Sequence, residues 1–141
     1  MPDIRARAAQ QNKHAFDEDT AVLPALLFNA ADVGDDLVQY MTNFGRYTIP
    51  REYPMAQPCE LYGLAVNLLR FVVPAGGSIQ AVVIRNGRAL KDLTVTYGPG
   101  DTGVRRTSGR ASLEAGDTID LQVTTSGLGS DVEISATIGM R

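Results

Sequence analysis

The sequence is poor in the residues on which most catalytic and metal sites depend. It contains one histidine, one cysteine and no tryptophan among 141 residues. A cupin-type metal site needs several histidines and a carboxylate, which one histidine cannot supply. His14 would also have to serve as the base of any Ser-His-Asp or Cys-His pair, from a segment without rigid support. We therefore expect no metal, no cofactor and no enzymatic activity.

Strong net charge and long apolar runs are also missing. The formal net charge of -3 gives no general attraction to nucleic acid or to an anionic membrane surface. No apolar run is long enough to span a bilayer, and the N-terminus does not look like a secretion signal. The lone Cys59 excludes an intrachain disulfide. We expect a soluble chain, made in a reducing compartment, with a single domain over residues 21–141.

Three motifs could belong to a catalytic or ligand-binding site, but each lacks the neighbouring residues that such a site requires. Residues 98–103 match G-x-G-x-x-G, but the residues that follow lack the helical pattern that a dinucleotide site requires. Cys59 is interpreted as a small buried hydrophobe. The acidic pair Asp35-Asp36 and the acidic run at 17–19 lack the ligand spacing of a calcium loop. We interpret residues 98–103 as a turn and the acidic clusters as solvated surface.

From Cys59 onward the pattern predicts β-structure throughout. Short runs of alternating apolar and polar residues are separated by turn signals, as in a sandwich or barrel. Residues 61–73 are apolar at successive positions, which predicts a strand covered on both faces. Asn86-Gly87 predicts a two-residue hairpin. Further strands are predicted at residues 78–85, 92–97, 104–113, 118–124 and 131–138, with a break at Gly109 in the segment 104–113.

An internal sequence repeat relates two of these strands, which are called the echoed strands below. Residues 73–87 match residues 113–127 after a shift of forty, with alanine, glycine, isoleucine, valine and glycine repeated at the same positions. Each copy combines an Ala-Gly turn, a strand and a second turn at glycine. The alternative is that strands between glycine turns simply look alike. The repeat favours a jelly roll (double Greek key) of about eight strands, built from two related halves.

The first half of the chain is less regular. Residues 21–30 are apolar but contain Pro24, which predicts an edge strand or an extended segment. Residues 32–40 predict one or two helical turns, with Asp32 as the N-cap. Residues 45–58 carry three prolines and predict an irregular connection around a short strand at 46–49.

Two segments are candidates for binding a partner. Residues 1–20 are polar and cannot build a core, so we expect this arm to become ordered on a partner or a neighbouring copy. The alternative is that it packs on its own domain. Arginines in or beside the glycine-rich loop could make bidentate contacts with an acidic protein surface, or be merely solvated. The candidate contact residues are Ile4, Arg5, Arg7, Phe16, Arg105, Arg106 and Arg110.

The β half resembles the small jelly-roll structural proteins of tailed double-stranded DNA bacteriophages. The resemblance rests on residues 58–66, 74–79, 85–87 and 113–123, the last of which is similar to the strand start of phage jelly rolls and TNF-like trimers. It implies a capsid cement (decoration) protein on the outer surface of an icosahedral head, made in the host cytoplasm. Its partners would be the major capsid protein and further copies of itself, as a homodimer or homotrimer, with no nucleic acid and no membrane.

The sequence is also compatible with two other functions. One is a TNF-like trimeric head-fibre or receptor-binding knob that contacts a host surface glycan or protein. The other is a carbohydrate-active or cupin-like enzyme, which the scarcity of histidine and aromatic residues disfavours.

Overall fold

The computed structural model describes residues 25–141, which form ten β-strands and no helix. In this part of the chain no helix is long and apolar enough to cross a membrane. In chain order the strands are β1 (Ala25–Val33), β2 (Val38–Thr42), β3 (Gly45–Tyr47), β4 (Tyr53–Pro54), β5 (Cys59–Leu69), β6 (Ser78–Arg85), β7 (Arg88–Tyr97), β8 (Gly103–Leu113), β9 (Thr118–Ser126) and β10 (Val132–Met140).

The strands form two antiparallel sheets that face each other. One sheet has the order β1-β10-β5-β8, and the other has the order β3-β2-β9-β6-β7, with β4 paired to β9. The chain passes between the sheets at β1–β2, β4–β5, β5–β6, β7–β8, β8–β9 and β9–β10. The four-stranded sheet β1-β10-β5-β8 facing β2-β9-β6-β7 is the strand order of a double Greek key. The predicted jelly-roll sandwich is therefore confirmed.

The core lies between the sheets, on the inward side of each alternating strand. In β6 and β9 every inward apolar side chain is fully buried: Ile79, Ala81, Val83, Ile119, Leu121 and Val123. Successive side chains point to opposite faces, so the period-two pattern predicts these inward positions, although Val82 and Ile84 on the other face of β6 are buried as well. The predicted inward positions of β7 and β10 are buried as well.

The two echoed strands are neighbours in the same sheet. β6 pairs with β9 in an antiparallel register that places Val82 opposite Gln122, its own counterpart after the forty-residue shift. The two copies are thus related by a local two-fold axis near this pair. Their leading turns also match: Gly77 N donates to Pro74 O at 2.9 Å, and Asp117 N donates to Glu114 O at 3.1 Å.

Positive φ angles explain the glycines that the two copies share. Gly76 and Gly116, at equivalent places in the leading turns, have φ values of 80° and 92°. Turns of this type need a residue with positive φ at their third position, which glycine adopts without strain. Asn86 and Gly87 have φ values of 49° and 81° and connect β6 to β7, which confirms the predicted two-residue hairpin.

The helical turns expected at residues 32–40 are absent, and that prediction is wrong. Residues up to Val33 belong to β1 and those from Val38 belong to β2. The connection is instead closed by Gln39, whose buried side-chain amide donates to Gly34 O and accepts from Gly34 N, both at 2.8 Å. Pairing of β1 with β10 and of β2 with β9 supplies the backbone partners that a helix would have supplied itself.

Three further predictions concern the first half and β5. The edge strand predicted at 21–30 is confirmed for residues 25–30, because β1 lies at the end of its sheet, and residues 21–24 lie outside the described residues. The short strand expected at 46–49 is found at Gly45–Tyr47. The expectation that the strand in 61–73 is covered on both faces is wrong. Leu64, Val66 and Leu68 are buried, but the alternate residues of β5 are only half-buried, because the outer face of this sheet is open to solvent.

Candidate functional site

One edge of the sandwich is strongly basic. β7 and β8 are the last strands of the two sheets on the same side of the sandwich, and they approach each other closely. Thr107 Oγ1 donates to Asp92 O at 3.2 Å, which joins the two edge strands. We call the six cations of this side, together with the end of β6, the basic edge: Arg85, Arg88, Lys91, Arg105, Arg106 and Arg110.

The three arginines predicted in or beside the glycine-rich loop all lie on a strand. Arg105, Arg106 and Arg110 belong to β8, which runs unbroken from Gly103 to Leu113 and pairs with β5. The expected break at Gly109 is a bulge, since the register shifts there while the strand continues. A Cβ at Gly109 would lie 2.8 Å from Asp92 O, so glycine permits the close approach of β7. The sequence predicted a break at Gly109 because glycine is a frequent turn signal.

Arg105 is held in place by its neighbours. Its guanidinium lies 2.8 Å from an Asp101 carboxylate oxygen and 5.7 Å from the centre of the Tyr97 ring. The Tyr97 hydroxyl lies 2.9 Å from Val66 O and 2.7 Å from Gly103 O, and its single hydrogen can be donated to either. Burial raises the pKa of Tyr97, which keeps this hydroxyl protonated as a donor. Arg105 thus contributes a positive charge at a fixed position.

Arg106 and Arg110 extend further into solvent than the inward-facing Arg105. Arg110 has 75% of its side chain exposed, and its guanidinium lies 4.0 Å from Glu60. Arg106 pairs with Ala65 of β5 and lines the same shallow groove as Tyr62 and Thr137. Arg106 is exposed, and the small residues of this groove, Gly63, Ala65 and Gly139, leave its guanidinium accessible. Both side chains can therefore offer planar donor groups to a carboxylate on another molecule.

The opposite side of the sandwich is acidic, which the sequence did not reveal. The β1–β2 connection and the β9–β10 connection lie together there, and we call their carboxylates the acidic corner: Asp32, Asp35, Asp36, Asp131 and Glu133. Asp32 and Glu133 also line one groove with the β2–β3 hairpin. The sequence indicates that Asp35 and Asp36 are merely solvated, but both carboxylates bind backbone amides of the β9–β10 connection.

Asp35 and Asp36 accept hydrogen bonds from backbone amides across this corner. The Asp35 carboxylate accepts from Leu128 N at 3.0 Å and from Gly129 N at 2.8 Å. Asp36 accepts from Gly127 N at 3.0 Å. These bonds, chiefly that from Leu128, hold the pKa of Asp35 below its ordinary value. Asp35 therefore keeps its negative charge at neutral pH.

The glycine-rich loop is not a phosphate cradle. Asp101 N donates to Gly98 O at 3.0 Å, and the Asp101 carboxylate accepts from Gly98 N at 2.8 Å. Gly100, with φ 87°, follows Pro99 in this turn, as a type II turn requires. The loop leads into strand β8, whereas a dinucleotide site would have a helix there. The interpretation of residues 98–103 as a turn is confirmed.

Little in the described part of the chain is suited to covalent chemistry or to metal binding. Burial raises the pKa of Cys59, whose Sγ lies 3.9 Å from Met55 Sδ. A raised thiol pKa disfavours the reactive thiolate. Among residues 25–141, no group of three or more histidine, cysteine or acidic side chains could hold a metal ion. The candidate arm residues Ile4, Arg5, Arg7 and Phe16, and His14, lie outside the described residues.

Comparison with known proteins gives one kind of match. No family model matches the sequence, and no curated protein matches it. A chain in the solved structure of infectious bursal disease virus Gx strain is similar, with 10% identity and a TM-score of 0.41. The match covers 82% of this chain and 32% of that chain. For the Gt strain of the same virus the identity is 12% and the TM-score 0.33, over 82% of this chain and 31% of the other.

This protein thus spans about a third of the viral chains that it matches. Its jelly-roll fold is established by its own strand order and not by this likeness.

Proposed function

We propose that this protein is a structural component of a virus particle: a decoration protein on the outer surface of an icosahedral phage head. There it clamps neighbouring major capsid subunits. The observation that carries the proposal is the basic edge, where exposed arginines project from two edge strands that are fixed to each other. Such an edge is suited to holding a protein surface and not to transforming a small molecule.

The rigidity of the basic edge supports a clamping role. Binding costs conformational entropy whenever flexible side chains or loops must become ordered. Here the backbone of β8 is paired along β5 from Gly103 to Leu113 and touches β7 at Gly109, so little backbone order remains to be gained on binding. A protein that resists pressure inside a capsid benefits from a contact of this kind.

The absence of an enzymatic role is part of the proposal. Cys59 has a raised pKa, and the two carboxylates at 35 and 36 are engaged by backbone amides. The proposed partners are the major capsid protein and further copies of this chain, with no nucleic acid and no membrane. The arm residues Ile4, Arg5, Arg7 and Phe16 would supply the direct contact with the capsid.

A second candidate function has a specific observation in its favour. Tyr40 and Tyr47 are cross-strand partners on the outer face of the sheet that contains β2 and β3. The Gln122 side-chain amide donates to the Tyr40 hydroxyl at 3.0 Å, and the Arg51 guanidinium lies 4.1 Å from the centre of the Tyr47 ring. Aromatic rings beside amide groups can bind a sugar, so this face suits a head-fibre knob that recognises a host glycan.

The copy number in purified particles separates the two functions. We expect quantitative mass spectrometry of particles from the encoding virus to find the chain at a large fraction of the copy number of the major capsid protein. A fibre knob would be present in only a few copies. Absence of the chain from purified particles would contradict both functions.

A second experiment tests the arm. A variant that lacks residues 1–20 should keep the circular dichroism spectrum and melting temperature of the β domain but no longer cosediment with capsids. Unchanged cosedimentation would contradict the role assigned to the arm, and a lost β spectrum would show that these residues belong to the fold.

A further inference from the structure

We propose that the basic edge of one copy docks on the acidic corner of a second copy, so that copies associate head to tail. The inference rests on the proposed function in one respect, since it treats the basic edge as a protein-binding surface. It goes further by identifying the occupant of that surface as another copy of this chain, so that the arm at residues 1–20 makes the contact with the capsid.

Opposite charges are segregated to opposite sides of the sandwich. Residues 85–110 contain six arginine or lysine residues and two aspartates. Residues 31–38 and 127–133 together contain five acidic residues and no basic ones. Arg46 also reaches this corner, where its guanidinium donates to Asp32 O at 3.1 Å, so the acidic corner keeps an excess of negative charge. The two sets lie far apart in the fold, because β1 and β8 are the two ends of the same four-stranded sheet. One copy therefore presents to its surroundings both halves of an electrostatically complementary contact.

The two surfaces cannot meet within one molecule. Three strand spacings of about 4.8 Å separate β1 from β8, and the core fills the space between the sheets. Complementary patches on opposite sides of one subunit produce a heterologous contact, which closes into a ring when the rotation between copies permits it. A trimer built in this way would use every basic edge and every acidic corner.

The chemistry of both surfaces suits such a contact. Arg106 and Arg110 offer planar donors, and carboxylates accept them with two parallel hydrogen bonds. Asp35 and Asp36 are held by the amides of residues 127–129, so the acidic corner is as fixed as the basic edge. Preformed surfaces on both sides reduce the entropic cost of association.

The size of the basic edge is adequate for a specific interface. β8 has 11 residues, which at a rise of about 3.3 Å per residue gives a length of about 36 Å. Two sheets about 10 Å apart, with their outer side chains, make the edge about 20 Å deep. The resulting area of roughly 700 Å² is close to the roughly 800 Å² that each partner contributes to a standard interface.

Sedimentation velocity of the full-length chain tests the proposal. We expect oligomers in buffer of low ionic strength and their dissociation as salt is added, because screening weakens contacts between exposed charges. The variant Arg106→Glu/Arg110→Glu, which replaces two of the six cations of the basic edge with carboxylates, should weaken association about tenfold or more. The variant Asp131→Lys/Glu133→Lys, which replaces two of the five carboxylates of the acidic corner with ammonium groups, should do the same.

A charge swap gives the decisive result. Each variant should associate with itself more weakly than the unmodified chain does, but an equimolar mixture should recover the complexes, because the two new glutamates of one variant then face the two new lysines of the other. A control is Arg51→Glu, which reverses the charge of an exposed side chain outside both surfaces. This control should associate like the unmodified chain.

Two results would overturn the inference. One is a chain that stays monomeric at low salt and high concentration. The other is an oligomer that the two variants and their mixture leave unchanged, which would indicate a different interface. Neither result bears on the proposed function, since the copy number in particles is measured independently. Conversely, head-to-tail oligomers of a chain that is absent from particles would sustain the inference and contradict the function.

Discussion

At the basic edge the sandwich is closed by backbone contact and a buried tyrosine, whereas at the acidic corner carboxylates accept backbone amides. The first closure joins β7 to β8 through Gly109 and anchors β7 through the Tyr97 hydroxyl. The second joins the β1–β2 and β9–β10 connections through Asp35 and Asp36. One edge thus depends on packing and neutral hydrogen bonds, and the other on ionised groups. They should respond differently to substitution and to pH.

The largest loss of folding stability is expected from a substitution where β7 and β8 touch. Gly109→Val places a branched side chain against Asp92 O, which a Cβ alone would approach to 2.8 Å. Forcing the strands apart should lower the free energy of unfolding by about 1–3 kcal/mol, measured by urea denaturation. Ser108→Val is the control, because the neighbouring position is exposed and valine is favoured in strands. Equal stability of the two variants would show that β7 and β8 separate without cost.

A smaller loss is expected from removing the tyrosine hydroxyl. Tyr97→Phe keeps the ring in the core but leaves the carbonyls of Val66 and Gly103 without this donor. An unsatisfied buried acceptor should reduce stability by about 1–2 kcal/mol. Denaturation in urea measures the change, with Tyr62→Phe, on the half-buried outer face, as the control. A loss no larger than that of the control would mean that solvent reaches these carbonyls.

The stability that the acidic corner contributes should depend on pH. The pKa of Asp35 in the folded chain lies below its ordinary value of 3.8, because amides, chiefly that of Leu128, bind its ionised form. Its stabilising contribution is therefore complete at pH values above 3.8 and is lost as the pH falls through the folded-state pKa. Asp35→Asn should melt at a lower temperature than the unmodified chain at pH 7, with a smaller effect than Tyr97→Phe. The difference should shrink in acid.

Melting temperatures at pH 7 and at pH values below 3.8 measure this convergence. Glu133→Gln is the control, since it removes a carboxylate of the same corner outside the 127–129 turn. If the melting temperatures of the unmodified chain and of Asp35→Asn fell in parallel as the pH is lowered, the role given to these amide bonds would be contradicted. Substitutions of Tyr97 should leave the acid profile unchanged, which separates the two edges.

The smallest effect on stability is expected at the exposed arginines. Arg110→Ala removes a side chain that is 75% exposed, so the free energy of unfolding should change by no more than about 0.5 kcal/mol. The same substitution should weaken self-association measured by sedimentation. A large loss of stability would assign Arg110 to the fold and remove the reason for treating it as part of a docking surface.

Prediction from the sequence succeeded where a local pattern and the tertiary environment agree. The strands from Ser78 to Met140 follow the alternation of apolar residues, and the Asn86-Gly87 hairpin follows from the φ angles that it needs. Prediction failed at residues 32–40, where helical spacing of apolar residues competed with pairing to distant strands. Pairing won because β9 and β10 offer complete backbone partners.

The candidate site was predictable only in its composition. The sequence identified Arg105, Arg106 and Arg110 but predicted a break in their strand at Gly109. A glycine is locally a turn signal, and the close approach of β7 that it permits exists only in the folded chain. The acidic corner was missed because its members are separated by about ninety residues along the chain, as the bonds from Gly127 to Asp36 show. No local pattern signals a contact of that range.

The sequence by itself determined that this chain is a sandwich with two related halves, because alternation and glycine turns act over a few residues and repeat after forty. Only the tertiary structure decided that the two echoed strands pair with each other about Val82 and Gln122. It also decided that the positive and negative charges lie on opposite sides. Strand order depends on which distant segments bury each other's apolar faces, and that selection is made by the whole core at once.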